Sequence, residues 1–258
     1  MTRVLPRTNF HSSKLIRCLA DLALVDAVEP GNAFAEKLGL WIHFADAISL
    51  SAVHSDNNAN LPKVQVSMHH DRHVAACAEA SAELERIQTF LVNSVMRSFS
   101  PRLGRTHISL PTPLLELPLD LRAAYATYRR FYESHQRDME SSVQPLRTNI
   151  RASLAKASPR LKKLAELDAT LERVLRDRES KLLSKIPVLL KKHFEQLFKA
   201  HQQKLVDAQQ ADNPASWTQP GAWLARYCND MQMLLLAEVE LRLQPAMGLI
   251  EAFRQDTQ

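Results

Sequence analysis

The chain has 258 residues, 45% of them hydrophobic, 24% charged and 6% aromatic, with a formal net charge of +5. That hydrophobic content is enough to bury a core, while five glycines are too few for a β-rich fold or for phosphate-cradling Gly-rich loops. Three widely spaced cysteines, Cys18, Cys77 and Cys228, fit free thiols in a reducing compartment and exclude a disulfide framework.

Met1 to His11 reads as an arm with Arg3, Pro6 and Arg7. It has no apolar h-region, so no signal peptide is expected. Ser12 or Ser13 is placed to cap a first helix carrying Leu15, Ile16, Leu19, Leu22 and Leu24. Pro30-Gly31-Asn32 is a turn, and a second helix runs from Ala33 to about Ser51 with Phe34, Leu38, Trp41, Ile42 and Ile48 inward. Ser55 to Ser67 is polar and Asn-rich, a loop in which Lys63 to Ser67 can extend briefly. A third helix is expected from about Asp71 to Ser100, ended by Pro101. Pro101 to Pro118 holds four prolines and a glycine, so it reads as a long loop or linker.

Asp120 is a good N-cap, and from Leu121 the sequence is glycine-free to Asn213 and beyond. Tyr125, Tyr128, Phe131 and Tyr132 share one helical face, continued by Met139, Val143, Leu146 and Ile150. Pro145 is expected to kink this helix. Ser158-Pro159 is a cap followed by a first-turn proline. The next helix carries an apolar stripe from Leu161 through Leu164, Leu167, Leu171 and Leu175 to Leu182 and Ile186. Pro187 kinks it or starts another, whose stripe is Leu189, Leu190, Phe194, Leu197, Phe198 and Leu205. After a break at Asp212 to Thr218, Thr218 is placed to cap a last helix starting near Pro220 and kinked at Pro245. No internal repeat of constant period is visible. The longest apolar runs fall far short of the roughly 20 residues that a membrane span needs, so a cytoplasmic protein is expected.

Charge is unevenly shared. Between Leu121 and Leu205 there are 19 Lys and Arg against 9 Asp and Glu; the rest of the chain has 14 against 19. A basic segment on a neutral-to-acidic body points to an anionic partner, nucleic acid first. The doublets Arg129-Arg130, Lys162-Lys163 and Lys191-Lys192, with Arg147, Arg151, Arg173 and Arg176 between them, are the candidate nucleic-acid-binding residues. Such side chains grip phosphates and read no bases. The competing reading is solvated helix faces laced by i,i+4 ion pairs with Glu166, Glu172, Asp177 and Glu179.

His69, His70, Asp71, His73 and Cys77 form the one ligand-rich cluster. His69, His73 and Cys77 would stack on successive helical turns, and imidazole with thiolate suits zinc. The second half of a zinc motif is missing, so a histidine-rich helix start is the ordinary reading and no metal or other cofactor is assigned. Neither a nucleophile elbow nor a phosphate-binding loop is present, and no catalytic residue is assigned.

Two stretches carry a family resemblance. One is Phe34-Ala-Glu-Lys-Leu-Gly-Leu-Trp41 running into Asp46-Ala-Ile-Ser-Leu-Ser51. The other is Leu161 to Phe194, with Leu164-Ala-Glu-Leu-Asp-Ala-Thr-Leu-Glu172, Arg178-Glu-Ser-Lys-Leu-Leu183 and Pro187-Val-Leu-Leu190. With the Arg7-Thr-Asn-Phe10 start, the chain resembles, over most of its length, an all-helical proteobacterial family described as a domain of unknown function. That family is identified as part of type III Zorya anti-phage defence. The resemblance implies a cytosolic accessory or effector that works beside a second soluble helical protein and a stator-like membrane motor. Related systems use soluble components to engage or degrade invading DNA. No site residue is implied.

The expectation is an all-α bundle of about six or seven helices, several long and Pro-kinked, with an extended central helical hairpin. Its regions are 1–100, a Pro-rich linker 101–119, and 120–258, or one continuous domain. The leading function is a non-enzymatic defence component that binds DNA; the alternative is a helical scaffold for protein assembly, with a nuclease third. Charge reversal at Lys162 and Lys163 is expected to abolish DNA binding but leave partner assembly intact. Long amphipathic helices commonly self-associate, so a homodimer is also expected.

Overall fold

The computed structural model describes residues 13–25, 44–55, 66–100, 107–114 and 117–256. The N-terminal arm, the Pro30-Gly31-Asn32 turn, the first part of the second helix and the Asn-rich stretch 56–59 lie outside these. Among the described residues the regular structure is helical. The elements are α1 (Lys14–Asp21), α2 (Phe44–Ser55), α3 (Val66–Phe99), α4 (Leu121–Ala157), α5 (Pro159–Leu183), α6 (Ile186–Asp207), a 3-10 turn (Pro214–Ser216) and α7 (Trp223–Asp256). They sort into two compact units.

The boundaries follow local chemistry. Asp120 Oδ1 accepts from the backbone N–H groups of Arg122 and Ala123 at 2.9 and 3.1 Å, capping α4. Ser158 Oγ accepts from Leu161 N–H at 3.2 Å, and Pro159 takes the first position of α5. Pro187 sits in the first turn of α6, so the chain breaks just before it and a new helix begins. α6 ends in a Schellman motif: Gln210 N–H donates to Leu205 C=O and Gln209 N–H to Val206 C=O, with Gln209 left-handed at φ 52°. Pro145 and Pro245 lie inside α4 and α7, which run on past them. α3 starts earlier than the sequence suggests: Val66 and Ser67, read as the end of the polar loop, are helical. The last helix starts at Trp223, later than expected. The intervening residues make the Asn213-capped 3-10 turn, which buries Trp217 and lets its Nε1–H donate to Asp212 at 2.8 Å.

The first unit comprises residues 1–30, 92–137 and 184–241. Its centre is aromatic. Phe194 of α6 touches the rings of Tyr125 and Tyr128 on α4 and of Trp223 and Tyr227 on α7. The Tyr125 hydroxyl donates to the Pro187 carbonyl, tying α4 to the start of α6. Buried polar groups pair across helices. His193 meets Asp230 at 2.8 Å. Glu238, fully buried, accepts from the Tyr132 hydroxyl and from Gln136. The Tyr227 hydroxyl is buried with no partner among the described residues. Tyr227→Phe is therefore expected to leave stability unchanged or raise it by about 1 kcal/mol, read from the urea midpoint. A loss of that size would show that the hydroxyl is bonded.

The second unit comprises 31–91, 138–183 and 242–258. α2 packs on α5. Leu84 and Leu91 of α3, Leu146, Ile150 and Leu154 of α4, and Leu161 of α5 are buried. Leu182, expected in the α5 stripe, is 52% exposed, and Leu183 is buried in its place, where the helix ends. α4 and α5 are joined by charge as much as by apolar contact. Arg147 makes a two-pronged contact with Asp168 at 2.8 and 2.5 Å, and Arg151 reaches Glu172 at 2.5 Å.

Candidate nucleic-acid interface

The ten cationic residues picked from the sequence fall into two groups. In the second unit, Arg147 and Arg151 keep only 13% and 15% of their side chains exposed. Both are spent on Asp168 and Glu172. Burial opposes charge on Glu172, but hydrogen bonds from Arg151 and Arg176 outweigh it and hold its carboxyl below the ordinary range. Arg176 also contacts Glu172, at 3.1 Å, but its side chain stays half exposed. On α5, Lys162 is paired loosely with Glu166 at 4.0 Å, Lys163 is half-buried and Arg173 is exposed. This helix alternates sign, with Glu166, Asp177 and Glu179 among its cations.

The first unit is different. Arg129 and Arg130 are exposed on α4, and Lys191 and Lys192 on α6. Residues that the doublets do not mark join them. Arg122 and Arg137 are exposed, and with Arg129, Arg130 and the half-exposed Glu133 they fall within an arc of about 100° on the helical wheel. This arc lies opposite the buried face of Tyr125, Tyr128, Phe131 and Tyr132. The signal was available: the aromatics fix the buried face, so the outer face of α4 follows by rotation. Lys185, Lys192 and Lys199 recur every seventh residue along α6 and its N-terminal boundary, all exposed.

Three arginines are held by local contacts. Arg129 Nε donates to Glu133 at 2.7 Å, Arg130 Nε to Ala126 C=O at 3.3 Å, and Arg137 Nη2 to Ser134 Oγ at 3.1 Å. Each contact uses only some of the five N–H donors on a guanidinium. Lys191 meets Glu195 at 3.7 Å with both side chains nearly half exposed, a pair of little energetic weight. Because Tyr125 and Tyr128 pack on Phe194, the two cationic helices are direct neighbours.

Among the described residues no group of three His, Cys, Asp or Glu side chains is placed to hold a metal. Cys77 is buried and His73 half-buried, while the side chains of His69, His70 and Asp71 lie outside the described residues. The His193–Asp230 pair has the form of a base and its orienting acid, yet it sits inside the aromatic core with both side chains over 90% buried. Its evident work is to join α6 to α7. Burial pushes the Cys228 thiol up to about 12, so it is a poor nucleophile. No described helix is long and apolar enough to cross a membrane.

His135 gives the first unit a pH signature. Ser98 Oγ donates its proton to Val95 C=O, so it accepts from His135 Nε2–H at 3.1 Å, which assigns the tautomer. Burial, and secondly the charge of His107, pull His135 down to about 4. An unfolded histidine titrates near 6.5. Protons therefore favour the unfolded chain below that value. The stability from keeping His135 neutral is complete above about pH 6.5 and declines toward pH 4, by about 2 kcal/mol at pH 5. Urea midpoints measured from pH 7 to 5 should show this slope, and His135→Phe should flatten it.

A family described as protein of unknown function (DUF3348) matches residues 1–255. The chain belongs to the DUF3348 family. The matched span takes in the stretches Phe34–Trp41 and Leu161–Phe194 and both cationic helices of the first unit. No curated protein and no solved structure matches the chain.

Proposed function

We propose that this protein is a non-enzymatic DNA-binding component of an anti-phage defence assembly, and that its first unit grips the phosphate backbone. One observation carries the binding reading. Arg122, Arg129, Arg130 and Arg137 share an exposed face against a single glutamate, whereas Arg147 and Arg151 are consumed inside the second unit. Lys185, Lys192 and Lys199 give α6 a second basic face, on the side of that helix away from Phe194. Exposed guanidinium and ammonium groups without base-reading partners give affinity that is indifferent to sequence and sensitive to salt. The defence role rests on the stretches Phe34–Trp41 and Leu161–Phe194 that resemble the Zorya-associated family. A second soluble protein and a membrane motor are the partners this role proposes.

Fluorescence anisotropy of purified protein with a short labelled duplex tests the binding. Micromolar or tighter affinity at low salt supports the proposal, and no binding refutes it. A protein-docking scaffold is the second reading, favoured by Val188 and Val206, which lie 54% and 70% exposed on α6. Partner capture that resists high salt and is lost on Val188→Asp would favour that reading.

A further inference from the structure

We infer that the occupant of the first unit's cationic face is B-form duplex DNA and not single-stranded nucleic acid; this rests on the phosphate-gripping reading above. The cations stand on continuous helix. From Arg122 to Arg137 the face spans about 22 Å, at about 1.5 Å rise per residue, with cations spaced about 10 Å apart. The major groove of a duplex is about 12 Å wide, so this row reaches from one backbone to the other. A duplex also presents one charge per about 1.7 Å of axis, and those phosphates are already fixed in space. A single strand must straighten along the row to meet the same contacts.

The second ground is the position of the rings. Single-strand binders draw much of their affinity from bases stacked on exposed aromatics. Here every aromatic side chain of α4, α6 and α7 is buried, Tyr125, Tyr128 and Phe194 at 4%, 3% and 1% exposure among them. The rings that could stack bases instead hold the two cationic helices together. The face therefore offers charge without a stacking platform. A-form RNA duplexes have a deep, narrow major groove, which takes their two backbones out of the spacing that the row matches.

The test is competition against a labelled DNA duplex, using unlabelled DNA duplex of scrambled sequence, single-stranded DNA of equal length, and RNA duplex. Scrambled duplex should compete as well as the original, and both about tenfold better than single strand. The paired substitution Arg122→Ala with Arg137→Ala removes the ends of the row and should bring that ratio toward one. Single strand competing as well as duplex would overturn the inference while leaving the phosphate grip standing. RNA duplex equal to DNA duplex would overturn its B-form part. Failure of any nucleic acid to bind would instead remove the reading beneath it.

Discussion

Arg129→Glu combined with Arg130→Glu is expected to weaken DNA binding about a hundredfold while leaving the fold intact. Both side chains are exposed at the middle of the α4 row. Their contacts are local, to Glu133 and to the Ala126 carbonyl, so no helix-to-helix packing depends on them. Reversal replaces two attractions by two repulsions. At about 1.4 kcal/mol per tenfold, a hundredfold loss asks for roughly 1.4 kcal/mol per reversed charge, a modest demand for phosphate contacts. The measurement is anisotropy at fixed low salt, with circular dichroism to confirm the helices. Unchanged affinity would take α4 out of the interface. The companion variant, Lys162→Glu with Lys163→Glu, asks the same of α5; loss of binding there would place the site in the second unit.

Phe194→Ala is expected to destabilise the first unit by about 4 kcal/mol, in the range for a buried phenylalanine. Its ring is 1% exposed and meets four other rings, two on α4 and two on α7. Removing it leaves a void that flat, rigid neighbours fill poorly. Domains are held by only about 5–15 kcal/mol, so the loss is a large fraction of the total. Urea unfolding followed by circular dichroism reads it. DNA binding should fail at the lower temperature at which this unit melts, because Phe194 packs α6 against the helix that bears the arginines. A cost under about 1 kcal/mol would show that the aromatic cluster is not the centre of the unit.

Much of the fold was legible because helix signals are local. Asp120, Ser158 and Pro159 mark helix starts through hydrogen bonds made within one turn, and they stand where the sequence puts them. The aromatic face of α4 was equally plain from its spacing. What the sequence hides is which charges meet. Arg147 and Arg151 look no different from Arg129 and Arg130 until α5 lies beside α4 and offers Asp168 and Glu172. The stretch before α7 misleads for a similar reason. Thr218 is a fair cap by type, but burial of Trp217 and its bond to Asp212 shape that segment into a 3-10 turn first. Doublets draw the eye to Lys162-Lys163, while the rotation that unites Arg122 with Arg137 needs the buried face as a reference.

The most direct test of the phosphate-gripping face is the salt dependence of DNA binding, for the natural protein and for one with Arg122, Arg129, Arg130 and Arg137 all changed to Ala. Each phosphate contact adds about 0.9 to the slope of log affinity against log salt. The natural protein should show a steep negative slope, reduced by about 3 to 4 in the variant. Equal slopes in the two proteins would contradict the phosphate-gripping assignment.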